Sequence, residues 1–137
     1  MNLEQIKQAL LAAYRSDGGI NHLDGVNLPS QESVNQLAAD CMHLLFPGYF
    51  EESALTEGDL PAHVESMLLK IDRRLATEIE KCLRFAQVPD AGTQAREHTT
   101  TVLAQFPELR KLIKTDVATA YQGDPAARSV EEIILAY

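Results

Sequence analysis

Near the end of the chain, Gly123-Asp124-Pro125 is followed by Ser129-Val130-Glu131-Glu132, and this pairing carries the clearest chemistry in the sequence. Proline disfavours the α conformation in the residue before it, so Asp124 is driven into an extended geometry, while Gly123 can take the left-handed conformation that ends a helix. Ser-x-x-Glu is capping-box spacing, in which the hydroxyl and the carboxylate satisfy backbone N–H groups that a first helical turn leaves unbonded. A new helix is therefore expected to start at Ser129, with Ile133, Ile134 and Leu135 making it apolar. A carboxylate fixed between two rigid helices is a receptor for a ligand ammonium or hydroxyl. The same carboxylate also suits the capping of the Pro125 turn, which is the commoner role for an Asp-Pro corner.

Other reactive residues form no comparable constellation. His22, His43, His63 and His98 lie in no His-Glu-x-x-His, Glu-x-x-His or Cys-His spacing, and the adjacent Glu97-His98 would point in different directions on a helix. They read as surface or partly buried residues. Cys41 and Cys82 sit in apolar helical patterns without Cys-x-x-Cys spacing and read as small buried hydrophobes, which implies a reducing, cytoplasmic location. The formal charge of −8, from 12 Lys plus Arg against 20 Asp plus Glu, argues against nucleic acid or an anionic membrane as the main partner, since both are held through clustered cations. Arg110, Lys111 and Lys114 are the nearest approach to a basic cluster, and they are too few. The N-terminal MNLEQIKQALLAAYRSD has no signal-peptide features, and no apolar run approaches the ~18 residues of a membrane span.

These residues must be positioned by helices, because no convincing alternating β pattern occurs. At 137 residues, 45% apolar and 23% charged, the chain has the length and composition of one domain, residues 1–137, able to bury a core of its own. Leu3, Ile6, Leu10, Ala13 and Tyr14 define a first helix, ended where Gly18-Gly19 supply positive φ. The segment "GGINHLDGVNLPS" reads as an ordered loop whose apolar residues grip the domain surface. Ser30 caps a second helix with a face of Val34, Leu37, Cys41, Leu44 and Leu45, stopped by Phe46-Pro47-Gly48. Pro61 opens the longest helix, whose stripe Val64, Leu68, Ile71, Leu75, Ile79 and Cys82 runs to about Gln87. Asp90 can cap the next helix, and Pro107 permits a bend before Leu109, Leu112, Ile113, Val117, Ala120 and Tyr121 continue the pattern. The fold class is all-α, a bundle of five to six helices with short loop connections.

Three stretches carry a resemblance: "LDGVNLPSQESV" at 23–34, "LFPGYF" at 45–50 and "TDVATAYQGDPAARSVEEIILAY" at 115–137. Together they resemble the amino-terminal helical domain of serine O-acetyltransferase, particularly the bacterial branch with a long helical N-terminal region. The most specific part is that family's Asp-x-x-Ala-x-x-x-x-Asp-Pro-Ala element, matched by Asp116, Asp124, Pro125 and Ala126, with Thr119 at the alanine position and Gly123 where some branches carry arginine. The resemblance implies acetyl transfer from acetyl-CoA to L-serine, giving O-acetylserine for cysteine biosynthesis. It implies that Asp124 binds substrate by pairing with the serine ammonium, and it makes Asp116 a second substrate-binding candidate that suits a cap or support role equally well.

In that family the general base is a histidine on a left-handed β-helix of hexapeptide repeats, and this sequence contains no such repeat. The chain is therefore expected to be a domain truncated before the β-helix and inactive alone, with no catalytic residue, metal or cofactor site of its own. Acetyl-CoA is the co-substrate of the full-length enzyme. The partners implied are L-serine, further copies through the helical domains, and the O-acetylserine-using cysteine synthase. The competing class is a non-enzymatic acidic helical module that binds a protein partner through exposed apolar faces.

Overall fold

The computed structural model describes residues 1–136. Among them are six α-helices and no strand: α1 Leu3–Ser16, α2 Gln31–Leu45, α3 Leu60–Phe85, α4 Ala91–Ala104, α5 Phe106–Gly123 and α6 Val130–Ala136. Short 3-10 turns at Gly18–Ile20 and Glu57–Asp59 follow α1 and precede α3. The all-α architecture with short connections is as the apolar periodicity implies.

Local chemistry explains most of the boundaries. Asn2 opens α1 through a reciprocal cap, its Oδ1 accepting from the Gln5 amide and its own N–H donating to Gln5 Oε1, both at 2.9 Å. Ser30 Oγ accepts from the Ser33 amide at 3.0 Å, the cap expected for α2. Pro61 stands in the first turn of α3, where its missing N–H is harmless. Helix α2 stops at Leu45, and Gly48 then turns the chain at φ +89°.

Three expected end signals work differently. Gly18 and Gly19 lie in the 3-10 turn without positive φ, because the Asp17 amide already closes α1 onto the Ala13 carbonyl at 2.7 Å. Gly123 stays helical as the last residue of α5, so the stop falls on Asp124. Asp90 precedes α4 at φ 55° and makes no side-chain cap, since carboxylate capping needs the extended conformation that a left-handed residue does not have.

Helix α3 is the spine, with α2 and α4 packed along it. Close approach of α4 comes from small residues: Ala91, Ala95 and Thr99 are buried at four-residue intervals, and a Cβ on Gly92 would stand 3.3 Å from Glu80 Oε1. Helix α6 folds back on α5, and its Ile133 is buried. The Arg110 guanidinium of α5 donates to the Leu45 carbonyl, satisfying an acceptor left open by the end of α2.

The core is thinner than the composition suggests. Its buried apolar members are Leu45, Met67, Ile71, Ala91, Ala95 and Ile133. The accessible surface is 10,409 Å², roughly half as much again as the about 7,100 Å² of a compact 15.1 kDa monomer. Val34, Val64 and Leu68 of the expected stripes remain partly exposed, and of the two cysteines expected to be buried Cys41 is half-buried and Cys82 exposed, both free. A periodic stripe marks a face that wants cover; whether cover exists depends on a neighbouring helix. Helix α1 has its own 3-10 turn as its substantial neighbour, and none of its residues is buried.

Candidate substrate-binding corner

The corner between α5 and α6 is built from four hydrogen bonds. Asp124 caps α5 in extended geometry, φ −111° and ψ 100°, as the following proline requires. Its Oδ1 accepts from the Ala126 amide at 2.9 Å and its backbone carbonyl from the Ala127 amide at 3.2 Å, so the chain turns tightly around Pro125. Ser129 Oγ accepts from the Glu132 amide at 3.3 Å, and Glu132 Oε2 accepts from the Arg128 amide at 2.8 Å. This is the expected capping box with one change: the glutamate reaches the N–H of the residue before Ser129, which ties the loop itself to α6.

The geometry accommodates both roles open to Asp124. One carboxylate oxygen closes the turn, and Oδ2 accepts no hydrogen bond among the described residues. The side chain is half-buried at the end of a rigid helix, so the free oxygen has a fixed position from which to receive an ammonium. Asp116 is exposed on α5 and lies about 12 Å back along the helix axis by helical rise, with no bond to Asp124. The structure does not bring the two aspartates together. Thr119 turns its hydroxyl onto the Thr115 carbonyl at 3.0 Å, which leaves mainly its methyl to substitute for an alanine.

Two further arrangements were not legible in the sequence. An apolar groove of ≈ 350 Å³ runs between the Phe46-Pro47-Tyr49 bend and the α5–α6 hairpin, with Arg110 and Lys114 at its edge. It continues into a second hollow of ≈ 580 Å³ that includes Val64, Leu68 and Phe106. In addition, Glu51 gathers two of the histidines: His43 Nδ1 is 2.7 Å and His63 Nε2 3.8 Å from its Oε1, and the His63 ring also meets the His43 carbonyl at 3.2 Å. This triangle pins the Phe46–Phe50 bend between α2 and α3. Among the described residues no group of three or more His, Cys, Asp or Glu side chains is arranged to hold a metal ion. No described helix is long and apolar enough to cross a membrane. The sequence signal for the triangle was absent because the three residues are separated by loops of irregular path.

No protein-family model matches the chain. Over 119 residues it is 31% identical to a protein of Synechococcus elongatus named "Serine acetyltransferase, plasmid", an alignment that takes in 80% of this chain. The chain spans 37% of that relative's length. The similarity to a serine acetyltransferase therefore runs over most of the chain.

Proposed function

We propose that this chain supplies the helical part of a serine O-acetyltransferase, assembling its oligomer and contributing Asp124 to the serine pocket. The observation that carries the reading is the similarity to a serine acetyltransferase, combined with the corner at Asp124, where one carboxylate oxygen is used by the fold and the other is free. In the reaction, the serine hydroxyl attacks the thioester carbon of acetyl-CoA, its proton passes to a general base, and the coenzyme A thiolate departs. Nothing in this chain is assigned to base or coenzyme binding. The contribution of Asp124 is orientation: an ion pair to the substrate ammonium holds the hydroxyl in line for attack. Asp116 supports α5 in this reading, because its exposure and distance from the corner suit a surface role.

The test is acetyl transfer to L-serine by the full-length enzyme, wild type against Asp124→Asn, with serine varied. Asparagine keeps an oxygen for the Ala126 amide and so keeps the turn, while the charge is lost. The KM for serine should rise roughly tenfold to a hundredfold, the loss of one charge-assisted hydrogen bond. Unchanged kinetics would reduce Asp124 to a turn residue and favour a purely assembling module.

A further inference from the structure

The chain carries 20 Asp plus Glu against 12 Lys plus Arg, yet the two connected apolar hollows along α5 are lined by Arg110, Lys111 and Lys114 and by no carboxylate. A local excess of this sign in so acidic a chain selects an anion. The three cations stand within one turn of α5, and Arg110 and Lys114 line both hollows, so the positive charge collects where the two meet. Arg110 is anchored by its bond to the Leu45 carbonyl and has further N–H groups to donate. Lys111 pairs with Glu108 at 2.6 Å on the exposed surface, where such a pair is weak. Lys114 makes no ion pair among the described residues.

Beside this charge the larger hollow is apolar. Its walls are Leu45, Val64, Leu68, Leu103 and Phe106, drawn from α2, α3, α4 and α5. Val64 and Leu68 stand one turn apart on α3 and remain 39% and 36% exposed while lining it. The volume of ≈ 580 Å³ falls within the about 300–1,000 Å³ of sites that take one small ligand, and such sites combine apolar walls with a few placed polar groups.

We propose that this hollow binds one molecule of a long-chain carboxylate, its tail among the five apolar walls and its head on Arg110, Lys111 and Lys114. The placement of charge selects this occupant. A partner helix laid in a groove is anchored by residues spread over several turns, whereas here the cations cluster within one turn and suit a single anionic head. A membrane surface is disfavoured by the net charge of −8, which repels anionic headgroups.

The site uses neither Asp124 nor acetyl transfer, so direct binding tests it whatever the serine kinetics show. The experiment is calorimetric titration of the 137-residue chain with dodecanoate, kept below the concentration at which it forms micelles. A single saturable site is expected, with hexanoate and the cationic dodecyltrimethylammonium each weaker by about tenfold or more. Lys114→Glu should cost roughly tenfold or more in affinity, because it reverses a charge that the fold does not use. Leu68→Trp should block the hollow with the helical circular dichroism retained. The full-length enzyme should show the same site in every chain. Equal binding of the anionic and cationic amphiphiles, or dodecanoate affinity indifferent to both variants, overturns the site. Binding to phosphatidylglycerol vesicles without binding of monomeric dodecanoate overturns it in favour of a membrane surface. Loss of the site in the full-length enzyme also overturns it, by showing that the rest of the protein covers the hollow.

Discussion

Glu78 of α3 is a buried carboxylate whose surroundings pull its titration in opposite directions. Burial works to raise its pKa, but Ser33, Lys81 and the Ser30 amide favour the charged form, and the net result is a carboxyl below its ordinary 4.5. Lys81 Nζ donates to Oε1 at 3.1 Å; Ser33 and Ser30 act on the group from the start of α2, although Oε2 completes no standard hydrogen bond. Because the folded pKa is depressed, the stability this group contributes is present above pH 4.5 and is lost as the pH falls through the folded value. Glu78→Gln should therefore lower unfolding free energy by on the order of 1 kcal/mol at neutral pH, and the deficit should shrink in urea titrations taken below pH 4.5. Cys41 moves the other way. Burial, and then the charge of Asp40, push its thiol up, which keeps it protonated at neutral pH.

The bend from Phe46 to Phe50 carries the chain out of α2 toward α3. Phe46, Tyr49 and Phe50 pack edge-on and tilted, with ring centroids 6.3 to 6.4 Å apart. Gly48 makes the bend possible at φ +89°, and the space where a Cβ would sit is open, so the obstacle to a side chain there is conformational rather than steric contact. Gly48→Ala should cost about 1–2 kcal/mol in denaturant unfolding without altering helix content. "LFPGYF" announced a hydrophobic corner through Pro47 and Gly48, and that much was legible. The His43–Glu51–His63 triangle and the Arg110 bond to the Leu45 carbonyl were not, because each joins residues that only the folded path of the loops makes neighbours.

For the molecule as a whole, stability rests on few residues. Ile71 is fully buried at the centre of the α2–α3–α4 packing, and with so small a core little else can absorb its loss. Ile71→Ala should cost about 2–5 kcal/mol, a large part of the total stability of an ordinary domain, and appear as a matching drop in the urea midpoint. The sequence by itself determined the helices, the α2 cap and the extended Asp124 corner, because these follow from periodicity and from the fixed φ of proline, both local properties. It also determined the resemblance, since that lies in the order of residues. Only the tertiary structure decided which apolar faces are covered, that Cys82 is exposed, and that Asp124 divides its two oxygens between turn and solvent. Burial and hydrogen-bond partnership depend on what lies across space from a residue, and periodicity along one helix says which face seeks a neighbour without saying whether it has one.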